Sequence, residues 1–272
     1  MSLLEASYTV DKPSSPSPFH TMTVVAIVLA GISILWSFAD SRMVGDAAVW
    51  MKPLKFALSF ALLFATISLV EARLSQQVRT GWAMQIVAWI MAAAFLSEMM
   101  YMMYQAAHGE ASHFNFSTPF NEFMYTVVMA GGAVALVACT GAIGWLALRD
   151  KQADFGPSLR QGIWLGFLLS FVLTMIVAGY MSGQSGHYVG LHPQGAPTLP
   201  LVGWSGVVGD LRPAHFLSLH AMQALPLLGL WLDRRGSQNG INTIRLAAVG
   251  YAAVTFAVFA QAVLGLPLIP LG

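Results

Sequence analysis

Seven stretches of this chain are apolar over about the 20 residues that a helix needs to cross a hydrocarbon core: roughly 20–39, 53–74, 82–106, 120–148, 158–181, 211–232 and 242–265. The segments between them are short, so little is left from which to build a separate soluble domain. Only 9% of the residues are charged, against about a quarter in a soluble domain. The expectation is an all-α integral membrane protein folded as a single bundle of seven transmembrane helices. Residues 1–19 end in Pro-Ser-Ser-Pro-Ser-Pro (13–18) and lack the basic and apolar regions of a cleaved signal. They read as a disordered N-terminal tail before a membrane domain over 20–272.

Orientation follows from Lys and Arg, which cytoplasmic loops retain. With the N-terminus inside, the cytoplasmic side carries Lys12, Arg73, Arg79, Arg149, Lys151, Arg160, Arg234, Arg235 and Arg245, and the outer side Arg42, Lys52, Lys55 and Arg212. Nine against four predicts a cytoplasmic N-terminus and a C-terminus outside. A net charge of +1 without a basic cluster points away from nucleic acid as a partner, leaving the lipid bilayer as the certain one. The single cysteine, Cys139, excludes an intrachain disulfide.

That topology gathers the histidines. Six of seven form His-x4-His pairs, His108/His113, His187/His192 and His215/His220, and all fall at outward helix ends. Five positions along a helix turn through about 500°, so His215 and His220 diverge by about 140° and cannot chelate one ion from a regular helix. The predicted site is therefore assembled from several helices. Its cofactor or metal ligands are His113, His187, His215 and His220. Neutral imidazole suits transition metals and haem, so the expected cofactor is copper, iron, zinc or haem b.

Glu98, Tyr101, Gln105 and His108 share one stripe of the third helix, and a carboxylate at membrane depth marks function by default. Glu98, Tyr101 and His220 are thus the candidate catalytic residues. Gln105, His108, Asp210, Arg212 and Gln223 are candidates to orient the ligands. Asp210 is the expected N-cap of the sixth helix, with Pro213 in its first turn. Glu71 and Arg73 read as an ion pair. Gly131, Gly132, Gly141 and Gly144 read as sites of close helix packing. The Gly-rich segment 182–210, without Lys or Arg, reads as a lid over the outer end.

The runs Ser112-His113-Phe114-Asn115 and Gly209-Asp210-Leu211-Arg212-x-x-His215-Phe216-x3-His220-x2-Gln223-x2-Pro226 resemble segments of an uncharacterised group of bacterial polytopic membrane proteins. The resemblance covers about a fifth of the chain and implies a bacterial inner membrane but no activity.

The expected function is a redox-active metalloprotein or haemoprotein, oxidoreductase-like, with an outward-facing His/Glu site open to a small molecule, a quinone or a metal ion. The alternatives are a zinc-dependent membrane hydrolase, a metal- or proton-coupled transporter using Glu98, His220 and Gln261, and a non-catalytic assembly subunit.

Overall fold

A computed structural model describes residues 17–45, 47–184 and 186–271. Its long helices are α1 (Pro18–Trp36), α2 (Met51–Glu71), α4 (Trp82–His108), α6 (Ala130–Arg149), α7 (Pro157–Ser182), α8 (Arg212–Arg234) and α9 (Gly240–Val263). A short α3 (Gln76–Arg79) precedes α4, and α5 (Pro119–Phe123) runs through a π-helical segment, Met124–Met129, into α6. Two-residue strands pair as hairpin β1 (Met43–Val44) with β2 (Ala47–Ala48), and as β3 (Tyr188–Val189) with β4 (Gly209–Asp210). The protein is an all-α, multi-pass membrane protein: six of these helices are long and apolar enough to cross a bilayer. α8 matches them in length but carries Arg212, His215, His220 and Gln223 along its first turns.

Apolar residues such as Leu35, Leu69, Trp89, Leu246 and Val249 point outward, the arrangement that lipid as solvent imposes, with backbone polar groups satisfied inside each helix. Inward, Phe60, Phe64 and Phe95 lock α2 to α4, with ring centroids 5.0–6.0 Å apart.

The closest seam joins α7 to α8. A Cβ on Gly162 would lie 2.5 Å from the carbonyl oxygen of Leu225, one on Gly166 2.7 Å from that of Ala221, and one on Gly229 2.5 Å from that of Ser158. Only glycine allows such backbone approach. Pro226, inside α8, lies against Gly162 and Gly166. At one end of the seam Asp233 accepts hydrogen bonds from the Ser158 and Leu159 amides, at 2.9 and 2.8 Å, supplying the carboxylate that a helix N-terminus favours. Gly132, Gly141 and Gly144 serve close approach to Glu98, Phe171 and Phe167, whereas Gly131 faces open space.

Four local expectations are corrected. α1 starts at Pro18, capped by Ser17, so helix reaches into the segment expected to be a tail; residues 1–16 lie outside those described. Glu71 accepts a hydrogen bond from Ser17 instead of pairing with Arg73. The N-cap of α8 is Leu211, because Asp210 is committed to a β-bridge with Tyr188 and to Arg212. The stretch from 186 to 211 is not structureless: it carries the β3–β4 pair and a bridge between Thr198 and Ser205.

Candidate functional site

The connections 109–118 and 186–211 and the start of α8 lie at one end of the bundle, here the histidine end. Within it His113 sits in the α4–α5 loop, where Phe114 adopts a left-handed backbone with φ 53°. That is uncommon for a bulky residue and clusters at functional sites. The His113 ring packs 5.5 Å from Phe56 of α2 and 5.8 Å from Tyr125. Tyr125 belongs to the π-helical segment, a second irregularity that recurs at functional sites. His113 Nδ1 lies 3.2 Å from Ser112 Oγ, a contact that engages one of the two ring nitrogens.

His187 is held by the strand pair: its carbonyl accepts from the Leu211 amide at 2.9 Å. Tyr188 stacks on His192 at 4.1 Å, nearly parallel, and contacts His187 at 4.2 Å. Arg212 covers the Tyr188 ring and reaches its hydroxyl at 3.3 Å. Arg212 also binds Asp210 and the Gly203 carbonyl at 2.6 Å each, while Lys55 donates to the Val202 carbonyl at 3.2 Å. These two cations clamp the 186–211 segment onto α2 and α8.

On α8, the His220 Nδ1–H donates to Gln223 Oε1 at 3.2 Å and Gln223 Nε2 donates to Thr66 Oγ1 of α2 at 3.1 Å. That chain holds the ring with its Nε2 lone pair free, the form in which imidazole binds metals. His215 lies close enough to His113, and His220 to His215, for their charges to interact.

Three imidazole nitrogens here are buried without a hydrogen-bond partner among the described residues: His187 Nε2, His192 Nε2 and His215 Nδ1. Buried polar groups are nearly always satisfied, so each orphan asks for an explanation. The fourth orphan is Glu98 Oε1, which faces Gly132 of α6, where a Cβ would come within 2.9 Å of it.

The helical stripe predicted around Glu98 does not act as one unit. Tyr101 donates to Asn121 Oδ1 at 3.2 Å, and Gln105 donates to the Tyr101 hydroxyl and to Asn121 at 3.1 Å each. Both side chains pin the α4–α5 connection, with Asn121 extending the network to Ser117 and Glu110. His108 is exposed and turns back onto the Tyr104 carbonyl at 2.9 Å, so it is removed from the ligand-orienting set. Gln261 is likewise spent, donating to the Pro267 carbonyl at 2.7 Å. The structure therefore sets His113 within reach of His215, His215 within reach of His220 and His220 on Gln223, with His187 near Asp210 and Arg212, and leaves Glu98 against α6. Among the described residues no three His, Cys, Asp or Glu side chains converge as a metal-holding group. Lys52, one of the outer-side cations of the charge count, lies within electrostatic reach of both His113 and His187.

Two of these histidines lie outside the membrane-spanning segments. Burial, and then the charges of Lys52 and His215, push the His113 pKa down to about 3. Burial, then Arg212, pushes that of His187 down to about 4, with Asp210 opposing. Both rings are therefore neutral at pH 7. Because the unfolded loops take up protons near pH 6.5, stability is complete above that value and is lost as pH falls through the window toward 4 and 3. At about pH 5 the loss from His113 alone is about 2 kcal/mol. Thermal unfolding in detergent should show a lower Tm at about pH 5 than at about pH 7.5, with a smaller difference in His113→Asn. An unchanged Tm across that window contradicts the enclosed, neutral His113.

No family model, curated protein or solved structure matches the chain.

Proposed function

We propose that this protein is a seven-helix redox protein of the bacterial inner membrane that holds haem b at its outer end, with the iron ligated from His113, His215 and His220. The observation that carries the reading is the pair of unpartnered, buried imidazole nitrogens on His187 and His215 at this end, with His113 and His220 each within electrostatic reach of His215.

Charge favours haem among the cofactors. Lys52, Lys55 and Arg212 stand at this end, where Asp210 is already bound to Arg212 and Glu110 is engaged with Asn115 and Asn121. Two unit charges 4 Å apart interact by about 4 kcal/mol at an effective dielectric of about 20. A bare divalent copper, iron or zinc ion would meet that repulsion twice over from any ammonium group at such a distance. Haem b brings its own anionic propionates and needs only one or two protein ligands. A zinc hydrolase, by contrast, needs three, and no such triad converges among the described residues. A transport path through Glu98, His220 and Gln261 finds little support either, since these residues are engaged with α6, α2 and the chain's last turn respectively.

Haem b supplies one-electron transfer, and the protein's residues would set its terms. Gln223 and Ser112 orient the rings of His220 and His113. The segment 186–211, clamped by Lys55 and Arg212, would limit water at the site and so raise the strength of the surrounding charges. A quinone or other small molecule from the outer side would be the electron partner.

The predicted orientation, with the N-terminus cytoplasmic, α8 the sixth span and the C-terminus outside, accounts for the charge bias of the loops. Single cysteines in a Cys139→Ser background test it. At Gln194 and Gln76, an impermeant maleimide on intact spheroplasts should label the first and spare the second. Labelling of Gln76→Cys alone would invert the bundle and sink the outward-facing reading.

A further inference from the structure

Lys52 is the charged group that haem ligation leaves unused. It stands in the first turn of α2, half-buried, one turn before Phe56, whose ring packs on His113. Its charge reaches both His113 and His187. The ion pairs among the described residues are Asp40–Arg42 and Asp210–Arg212, and Lys52 enters neither. Asp210 has nothing left to offer: Oδ1 accepts from the Arg212 amide and Nε, and Oδ2 from the Ser205 amide and Arg212 Nη2. Lys55, one turn further along α2, is occupied with the Val202 carbonyl. A half-buried ammonium group is costly unless paired, and the buried His187 Nε2 beside it also has no partner.

One ammonium group beside an unpartnered imidazole nitrogen complements a single negative charge with two acceptor oxygens. We propose that Lys52, together with the imidazole of His187, forms a carboxylate-binding site at the outer end of the bundle. One source of the carboxylate is a propionate of the haem proposed above, and only that version rests on the haem reading. The other is a free organic acid. A charge-assisted hydrogen bond from Lys52 serves either.

The experiment titrates detergent-purified protein with haem b and with haem b whose two propionates are methyl-esterified. In parallel it measures thermal stabilisation by sodium propionate against sodium chloride at equal ionic strength. Each arm is repeated on Lys52→Met and on Lys52→Arg, the latter keeping the charge if the former fails to fold. For the haem-borne carboxylate, wild type binds haem at least about tenfold more tightly than the ester, as expected for a lost charge-assisted bond. Lys52→Met abolishes that preference and Lys52→Arg retains most of it. If neither porphyrin binds, or both bind equally, the haem-borne version fails. Stabilisation by propionate in wild type but not in Lys52→Met then assigns the site to a free acid. A haem-over-ester preference indifferent to Lys52, or no preference together with no stabilisation by propionate, overturns the proposal.

Discussion

Gly162→Val should abolish the well-folded protein. The Cβ it introduces lies 2.5 Å from the Leu225 carbonyl oxygen and 3.1 Å from Pro226 Cα, and both are backbone atoms of a helix that cannot swing aside as a side chain could. Gly166 and Gly229 repeat the constraint at 2.7 and 2.5 Å on the same seam, so relieving the first clash by separating α7 from α8 would break the other two contacts. Overpacking of a close-packed interior costs about 1–3 kcal/mol when neighbours can yield, and here they cannot. The expected result is a Tm lower by about 10 °C or more, given about 2–4 °C per kcal/mol for a chain of this size, or a loss of the monodisperse peak in size-exclusion chromatography. Gly131→Val is the control, since its Cβ would meet nothing within 4 Å, and its Tm should stay within about 2 °C of wild type. The consequence reaches the site, because this seam carries α8 and with it His215 and His220. A Gly162→Val protein as stable as Gly131→Val would mean that α7 and α8 do not meet as described.

The second large effect is expected from His113→Ala combined with His215→Ala, which should abolish binding of the proposed haem while leaving a folded bundle. These two rings come from different elements, the α4–α5 loop and the first turns of α8, and lie within reach of each other's charge. Substitution should also relieve local cost: His215 Nδ1 is buried without a partner, so its removal eliminates an unsatisfied group. Stability of the protein without cofactor should therefore hold or rise as cofactor content falls to background. His108→Ala, in contrast, should retain full content, since that ring is exposed and bonded only to the Tyr104 carbonyl. Equal haem content in the double variant and wild type would place the ligands elsewhere.

The helices were legible because the bilayer sets their length: the stretch expected at 120–148 is helical from Pro119 to Arg149, and that at 158–181 from Pro157 to Ser182. Even the amphipathic sixth stretch, with five polar or charged residues in its first turns, emerged as α8 at Arg212–Arg234. What stayed hidden depends on tertiary partners. The π-helical turn at Met124–Met129 has no signature in its own residues. The left-handed Phe114 violates the preference of its residue type. Asp210 carries good N-cap chemistry and does accept the Arg212 amide, but its carboxylate is shared with the Arg212 guanidinium and the Ser205 amide, partners that only the fold supplies. The Glu98–Tyr101–Gln105–His108 stripe was correct as helix geometry and misleading as chemistry, because Asn121 captures the middle two. Lys52 belongs to no motif, and its charge comes to bear on His113 and His187 only through the packing of the fold.

The most direct measurement is the absorption spectrum of detergent-purified protein, oxidised and then reduced with dithionite, alongside metal analysis. The account predicts a Soret band that sharpens and shifts on reduction, with iron near one per chain and the band lost in the His113→Ala/His215→Ala protein. A colourless protein that stays so after incubation with haem b, whatever other metal it carries, would contradict it.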